Sequence, residues 1–458
     1  MKKRCNRLLI FFFAVVSIQP VAAQQANATE RLQVAKQMET SVQTELLNKW
    51  YPQCYDTLYG GFLSTFTFDF KATGPQDKFI VTQARHVWTT SKAAALYPEK
   101  SYYLYGAKHG FQFLRDVMWD KTYGGFYNLV DRQGHNKSNP KVPKDAYGNA
   151  FAIYALAAYY KASGDTAALN LAKKAFLWIE AHSHDPIYGG YYMHLKMDGT
   201  PVARDATEPS TSDIGYKDQN SSIHLLEALT ELYQVWPDDL VRKRLQEMLF
   251  LIRDKMVTKQ GYLVLFFETN WTPVSFSDSS EAYILQHRNL DYVSFGHNIE
   301  TTYLMLEASH ALGLQHDTWT AIVGKRMVDH ALKNGWDNSV GGFYDDGYYF
   351  KGRDTITITR ASKNWWAQAE GMNTLLLMAD MYPMDAMQYY DKFKKQWHYI
   401  QTYLIDHEYG DWYAEGIDYS PQAKTGLKGQ IWKGTYHNFR AMKNCIKRLR
   451  GGNEIEKE

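Results

Sequence analysis

The sequence predicts an all-α fold, a ring of six helix pairs called an (α/α)6 barrel, and three observations lead to it. A Gly-Gly-aromatic phrase recurs along the chain. Helical hydrophobic periodicity fills the stretches between the phrases. In each unit the first helix is apolar nearly all round, which is typical of a buried helix, and the second has a polar face. Six such units bury their apolar faces by closing into a ring, and an open helical solenoid is the alternative.

The glycine phrase sets the spacing of the units. Its second glycine, or the equivalent residue, stands at Gly61, Gly125, Gly190, Gly261, Gly342 and Asp411, in steps of 64, 65, 71, 81 and 69 residues. The long fourth step predicts an insertion around residues 270–291, which contains a loop-like run at 275–280. Long insertions in compact domains often form lids or binding loops.

The N-terminal segment has the pattern of a secretory signal peptide. A basic stretch precedes an apolar run at residues 8–16, which is too short to span a membrane, and small residues end at Ala23. We therefore predict a signal peptide over residues 1–23 and one catalytic barrel over 24–458, exported across the inner membrane to the periplasm. Cys54 and Cys445 remain after cleavage. We expect them to be free buried thiols, with pairing as the alternative.

Composition excludes some partners and favours another. The net charge of +2 gives no indication of nucleic acid or of an anionic membrane surface. Aromatic residues make up 15% of the chain, an excess that suits a carbohydrate site because rings stack on the apolar faces of sugars. No Cys/His cluster has the spacing of metal ligands. We predict a small sugar ligand, no nucleic acid, no membrane attachment after cleavage, no metal and no cofactor, in a monomer or weak dimer.

Candidate functional residues lie at the junctions that lead into the apolar helices, and in a barrel these junctions open at one end. His297 and Glu300 are three residues apart and share one face of a helix start, and His224 and Glu227 repeat that spacing. A histidine beside a carboxylate suits proton transfer, whereas a lone histidine is more often structural. The other junctions contribute Arg85, Tyr147, Asn220, Trp365, Trp366, Glu370, Trp432 and His437. Their recurrence in all six units favours a site.

Five of these stretches also resemble a known family. They are Asp145-Ala146-Tyr147-Gly148-Asn149-Ala150-Phe151, His224-Leu225-Leu226-Glu227-Ala228, Ser294-Phe295-Gly296-His297-Asn298-Ile299-Glu300, Trp365-Trp366-Ala367-Gln368-Ala369-Glu370 and Lys433-Gly434-Thr435-Tyr436-His437-Asn438. In this order they resemble the N-acylglucosamine 2-epimerase superfamily, and within it the cellobiose and mannobiose 2-epimerases. The resemblance implies an (α/α)6 barrel, in agreement with the repeat count.

The resemblance implies inversion of C2 in a reducing sugar of a disaccharide or oligosaccharide through a cis-enediolate. It makes His297 and His437 the two acid–base groups. We expect Glu300 to orient His297, His224 to assist ring opening or to bind the C1 oxygen, and Arg85 to stabilise the enediolate oxygens. The expected substrate-binding residues are Tyr147, Asn220, Glu227, Trp365, Trp366, Glu370 and Trp432.

Three alternatives stay open at the level of sequence. The same residues suit a mannose aldose–ketose isomerase or an N-acetylglucosamine 2-epimerase. Many (α/α)6 barrels are glycoside hydrolases, which need paired carboxylates about 5–10 Å apart, but the junctions here carry histidines. A non-catalytic sugar-binding protein is the remaining alternative, since the fold alone does not decide function.

Overall fold

The computed structural model describes residues 18–314 and 317–452, and most of them are helical. The helices are α1 (Ile18–Ser41), α2 (Asn48–Trp50), α3 (Ile80–Leu96), α4 (Tyr102–Phe113), α5 (Ala146–Ser163), α6 (Thr166–His182), α7 (Gln219–Val235), α8 (Asp239–Leu251), α9 (Glu281–Gln286), α10 (Phe295–Ala311), α11 (Thr318–Asn334), α12 (Trp365–Met381), α13 (Tyr389–Tyr403) and α14 (Tyr436–Leu449). Single π-helical turns extend α1, α4 and α8. Of the predicted signal peptide, residues 1–17 lie outside the described residues.

The helices form a closed double ring, which confirms the predicted (α/α)6 barrel. Helices α3, α5, α7, α10, α12 and α14 each contact the next, and α14 contacts α3 again. Each inner helix packs against an outer one, and the outer partner of α14 is α1. The N-terminal helix therefore completes the last pair, so the apolar faces at both ends of the repeat array are covered.

The glycine phrases are tight turns that fix each unit to the following inner helix. The phrase glycines adopt positive φ, for example 71° at Gly125 and 85° at Gly342, a conformation that residues with a Cβ rarely accept. Directly after the phrase, the Phe126 backbone N–H donates to Asn149 Oδ1 on α5 at 3.0 Å. In the fifth unit the Phe343 N–H donates to Gln368 Oε1 on α12 at 2.8 Å.

Short antiparallel strands join neighbouring units at the end of the barrel where the inner helices begin. The pairs are β1 (Lys78–Phe79) with β2 (Leu129–Val130), β3 (Lys144–Asp145) with β4 (His194–Leu195), and β5 (Lys217–Asp218) with β6 (Phe266–Phe267). The sheet of β7 (Val293–Ser294), β8 (Asp346–Tyr348) and β9 (Thr357–Arg360) has three strands. The predicted insertion differs from a simple loop, because it contains α9, and the β8–β9 hairpin was not predicted.

Buried lysine–aspartate pairs are a second repeated device, and the sequence analysis missed them. In the first, second, third and fifth units, an aspartate five residues before the phrase position pairs with a lysine two residues before the inner helix. Lys144 Nζ lies 2.7 Å from Asp120 Oδ2, and Lys217 Nζ lies 2.7 Å from Asp185 Oδ2, with all four side chains buried. Each lysine also donates to a carbonyl of its glycine phrase, so the pair ties the turn to the helix start.

Cys54 and Cys445 are both buried, and no disulfide joins them, as expected. Within the described ranges, the structure contains no helix that is both long enough and apolar enough to cross a membrane.

Candidate active site

The predicted histidines converge where the inner helices begin. Side-chain caps help to fix these helix starts: Asp218 accepts a hydrogen bond from Ser221 N at 2.7 Å ahead of α7, and Ser294 caps α10. His224, His297 and His437 lie within the first two turns of α7, α10 and α14. Each ring has a polar partner at its Nδ1: a carboxylate from a neighbouring helix for His437, a carboxylate of its own helix for His224 and a hydroxyl for His297.

His437 is held by a carboxylate from the adjacent inner helix. Its Nδ1 lies 2.8 Å from Glu370 Oε1 on α12 and 3.9 Å from Glu300 Oε1 on α10. Because Nδ1 is engaged, Nε2 is the nitrogen left for a substrate. Burial, followed by the positive charge of Arg85, holds the pKa of His437 well below its usual range, so the ring is neutral at pH 7.

His224 makes the predicted contact within its own helix. Its Nδ1 lies 2.9 Å from Glu227 Oε2, one turn on. The rings of Tyr147 and Phe151 on α5 pack around it, with centroids 5.3 Å and 4.7 Å away. His224 therefore has a fixed orientation between two inner helices.

His297 has a different partner from the one predicted. Its Nδ1 lies 2.9 Å from the hydroxyl of Ser294, the residue that caps its helix, so the expectation that Glu300 orients this ring is wrong. Glu300 instead contacts Arg440, at 2.5 Å from Nη2, because its side chain points across the barrel. Burial lowers the pKa of His297 to about 4, although the charge of Glu300 opposes this shift.

Arg440 lies at the centre of the carboxylates and was missed by the sequence analysis. Its Nη1 donates to Glu227 Oε1, and its Nη2 lies 2.5 Å from Glu300 Oε1 and 2.7 Å from Glu370 Oε1. The hydroxyl of Tyr436 also bonds Glu227 Oε1 and lies 2.6 Å from Arg440 Nη1. The side chain of Arg440 is only 2% exposed. One guanidinium thus contacts carboxylates from three inner helices.

Arg85 lies on α3 beside this cluster. Its Nη2 lies 3.2 Å from the Tyr147 hydroxyl, and its Nη1 donates to the carbonyl oxygen of Trp432 at 3.3 Å. The guanidinium carbon stands 4.5 Å from the Phe151 ring centroid and 5.1 Å from that of Tyr436. A cation fixed on aromatic faces is well placed to stabilise a negative charge that develops nearby.

The three predicted sugar-stacking tryptophans occupy different environments. Trp366 is partly buried, and its ring centroid lies 4.7 Å from that of His297 and 5.9 Å from that of His437. Trp365 belongs to the hydrophobic core, because consecutive helix positions point about 100° apart and only one of the two can face the cavity. Trp432 is 47% exposed at the rim and packs edge-on against Phe79.

The remaining predicted substrate contacts divide into two groups. Tyr147 and Asn220 lie at the helix starts, and their side chains interact with each other. Glu227 and Glu370 instead lie behind the histidines. Both oxygens of Glu227 are taken, by His224 on one side and by Tyr436 and Arg440 on the other. These two carboxylates therefore hold histidines in place.

One cluster of the described residues has the composition of a metal site. Possible ligand atoms of Glu300, Glu370 and His437 lie within 4.8 Å of one another. The guanidinium of Arg440 already contacts the carboxylates of both glutamates. The positive charge among these carboxylate oxygens is thus the guanidinium of Arg440, which belongs to the protein itself.

The missed residues were close to recognised motifs. Tyr436 directly precedes His437. Arg440 comes three residues after His437, so Arg440 and His437 lie on the same face of the helix. Ser294 stands three residues before His297, at the position of a helix cap. Spacing alone was therefore a usable signal for Arg440 and Ser294.

Comparisons with known proteins agree with this geometry. The model of the family N-acylglucosamine 2-epimerase (GlcNAc 2-epimerase) matches residues 60–441. A cellobiose 2-epimerase of Bacteroides fragilis is 28% identical over 429 residues, which are 90% of this chain and 98% of that protein. A D-mannose isomerase of Marinomonas mediterranea is 23% identical over 87% of this chain and 94% of its own length. The solved structure of cellobiose 2-epimerase from Bacillus thermoamylovorans superposes with a TM-score of 0.77, at 25% identity, over 91% of this chain and 99% of that one.

Fold, site and relatives together define a helical-barrel enzyme of the sugar epimerase and isomerase class. The chain belongs to the N-acylglucosamine 2-epimerase family.

Proposed function

We propose that this enzyme inverts C2 of the reducing-end sugar of a β-1,4-linked disaccharide or oligosaccharide, with His297 and His437 as the acid–base pair. The observation that carries the proposal is the arrangement of these two histidines around one indole. Both rings contact Trp366, from helices on either side of it. Two neutral imidazoles that flank a single ring-binding surface suit proton transfer on both faces of one carbon.

The reaction begins from the open-chain aldehyde. The C2–H bond breaks, and its proton moves to Nε2 of one histidine. The electron pair forms the C1=C2 double bond, and the carbonyl π electrons move to O1. The cis-enediolate is anionic, and this charge favours protonation of the histidine on the other face, which opposes the effect of burial. That histidine takes a proton from solvent on its Nε2 and delivers it to the opposite face of C2, while the electrons on O1 re-form the carbonyl. The first histidine then releases its proton to solvent, and the ring closes.

Two further groups serve this sequence. Arg85 lies beside the cluster with its guanidinium held on aromatic faces, and it stabilises the enediolate oxygens. His224 has its Nδ1 bound to Glu227, so its Nε2 is available to move the proton between the C1 hydroxyl and the ring oxygen. In this scheme the residues of the chain carry out every proton transfer.

A second candidate is aldose–ketose isomerisation of a hexose such as mannose, and the D-mannose isomerase relative favours it. The enediolate is common to both reactions. Isomerisation returns the proton to C1, whereas epimerisation returns it to the opposite face of C2. A glycoside hydrolase is disfavoured, because Glu227, Glu300 and Glu370 share one guanidinium and none is left as an independent acid.

The test is incubation of the purified protein in D2O with cellobiose, mannobiose, mannose and N-acetylglucosamine. Chromatography identifies the product, and NMR locates the deuterium. We expect a disaccharide to give its C2 epimer with deuterium at C2. A ketose with deuterium at C1 would instead establish the isomerase, and binding without any exchange would contradict both.

We also propose that the enzyme is exported and acts in the periplasm. The basic and apolar N-terminal segment supports this. Mass spectrometry of the protein from a periplasmic fraction tests it. A chain that begins near Gln24 is expected, and a cytoplasmic chain that retains residues 1–23 would contradict it.

A further inference from the structure

Arg440 contacts carboxylates from three neighbouring inner helices. The contacts come from Glu227 on α7, Glu300 on α10 and Glu370 on α12, while Arg440 itself belongs to α14. All four side chains are nearly inaccessible to solvent. Removing charged groups from water this completely is unfavourable unless they are paired, so the cluster depends on its cation.

Two of the three carboxylates each hold a histidine. Glu227 uses one oxygen for Arg440 and the other for His224 Nδ1. Glu370 uses a single oxygen, Oε1, for both Arg440 Nη2, at 2.7 Å, and His437 Nδ1, at 2.8 Å. Arg440 is therefore linked to two histidines on different helices, in each case through one glutamate.

We propose that Arg440 is a positioning residue which keeps Glu370 and Glu227 ionised, so that Glu370 holds His437 with an unprotonated Nε2 toward the sugar and Glu227 holds the ring of His224 in place. The inference rests on the proposed function, because it assigns Arg440 to the histidines of that reaction. Arg440 does not itself contact the substrate in this scheme. It acts through carboxylates that lie behind the histidines.

The chemistry follows from the tautomer of His437. An ionised Glu370 accepts the Nδ1–H bond, which leaves the lone pair on Nε2. A protonated Glu370 donates to Nδ1 instead, and the ring then carries its proton on Nε2 and cannot act as a base. Burial raises the pKa of Glu370, and the charge of Arg440 opposes that rise. Burial also acts to raise the pKa of Glu227, but Arg440 and His224 outweigh it and lower the pKa to about 2.

Removing the guanidinium leaves three buried carboxylates beside one another. Like charges at this distance favour protonation, so the coupled His437–Glu370 pair will retain one more proton at neutral pH. The groups that face this pair or Arg440 include Glu300 and Tyr303 on α10, His224 and Glu227 on α7, Arg85 on α3, Tyr154 on α5 and Tyr436 on α14. Of these, only Arg85 remains as a cation when Arg440 is replaced.

The experiment compares Arg440→Gln with Arg448→Gln. Arg448 is a second buried arginine on α14, whose Nη1 donates to Asn373 Oδ1 at 2.6 Å, away from the histidines. Both variants lose a buried guanidinium from the same helix, so they are matched for damage to packing. Melting temperature, kcat and KM are measured for both, with kcat followed from about pH 5 to about pH 10.

For Arg440→Gln we expect kcat at pH 7 to fall on the order of 10²-fold, with KM changed by less than about threefold. The pH below which kcat falls, the acid limb of the pH profile, should move upward by about one unit or more. Activity should therefore be partly recovered in alkaline buffer. Arg448→Gln should lower the melting temperature without moving the limb. A folded Arg440→Gln enzyme with the wild-type pH profile overturns the inference.

Two further measurements keep the test decisive. If Arg440→Gln does not fold, Arg440→Lys keeps the charge but cannot span three carboxylates. It should show a smaller shift in the same direction, and a wild-type profile overturns the inference.

If the wild-type protein converts no sugar, the proposed function fails. A histidine NMR titration then still tests Arg440: the pKa of His437 should rise in the variant, and an unchanged pKa contradicts the role.

Discussion

At the scale of single residues, the site combines histidines that burial keeps neutral with carboxylates that fix their orientation. The protein environment acts on the two kinds of group in different ways. Burial disfavours the charged form of His297 and His437, whereas Arg440 preserves the charge of the carboxylates around it. The site therefore holds two neutral bases beside carboxylates that are paired with a buried cation.

The lowered pKa of His297 is directly testable. A titration of the substrate-free protein by histidine-selective NMR, assigned with the His297→Asn variant, should give a pKa of about 4. The sign follows from burial, since a base removed from water stays neutral to lower pH than in solution. Titration near the ordinary value of about 6.5 would show that the ring is exposed to water and would contradict the buried geometry.

Trp366 and Trp365 form a natural pair of variants. Trp366→Ala should raise KM by about tenfold or more with a smaller fall in kcat, because stacking stabilises ground state and transition state alike. Trp365→Ala should mainly destabilise the protein, by about 3–5 kcal/mol, as for other core tryptophans. Kinetics and denaturant unfolding separate the two effects. The reverse pattern would place the sugar against Trp365.

At the scale of elements, the glycine phrase joins each unit to the next. Gly125 adopts φ of 71°, and an added Cβ would lie 2.6 Å from the Trp178 ring. Gly164 ends α5 with nearly the same φ, 70°, but has nothing within 4 Å. A residue with a Cβ would therefore strain the backbone at either position, but only at Gly125 would its Cβ also clash with a neighbouring side chain.

Gly125→Ala and Gly164→Ala should accordingly differ in stability. Gly164→Ala is expected to lower the free energy of unfolding by about 1–2 kcal/mol, the usual effect of left-handed strain. Gly125→Ala should lower it by about 1–3 kcal/mol more, because the indole must move. Equal losses in urea denaturation would mean that Trp178 yields freely and that the phrase does not depend on this close contact.

The repeat was predictable from sequence because its glycines are local signals. The lysine–aspartate pairs were not recognised, although four of the units place them at the same positions. Asp120 and Lys144 lie 24 residues apart, and only the turn and the strand between them bring the two charges together. The fourth unit lacks the pair, with Met256 and Val293 at the corresponding positions, and in the sixth unit Asp406 pairs with Lys428, which lies further from the helix start. A single charged residue in a sequence is normally assigned to the solvent-exposed surface. A buried ion pair between two distant residues is therefore easily overlooked.

At the scale of the whole molecule, closure of the ring creates the site. Neighbouring histidines and carboxylates come from α7, α10, α12 and α14, which span more than 200 residues of sequence. The sequence therefore predicted which helix starts face the site, but not that Ser294 would bind His297 or that Arg440 would contact three glutamates. Those contacts depend on the rotation of each helix about its axis, which hydrophobic periodicity defines only coarsely.

The central claim, that His297 and His437 serve opposite faces of C2, is tested most directly by deuterium exchange in two single variants. His297→Asn and His437→Asn, each shown to fold, are incubated in D2O with either epimer of the substrate, and exchange at C2 is followed by NMR. Both should lose epimerisation by about 10²–10⁴-fold, because interconversion needs both proton transfers. Each variant should still exchange C2 of one epimer, and the two variants should differ in which epimer exchanges. Near-normal epimerisation in either folded variant, or exchange of the same epimer by both, would contradict the account.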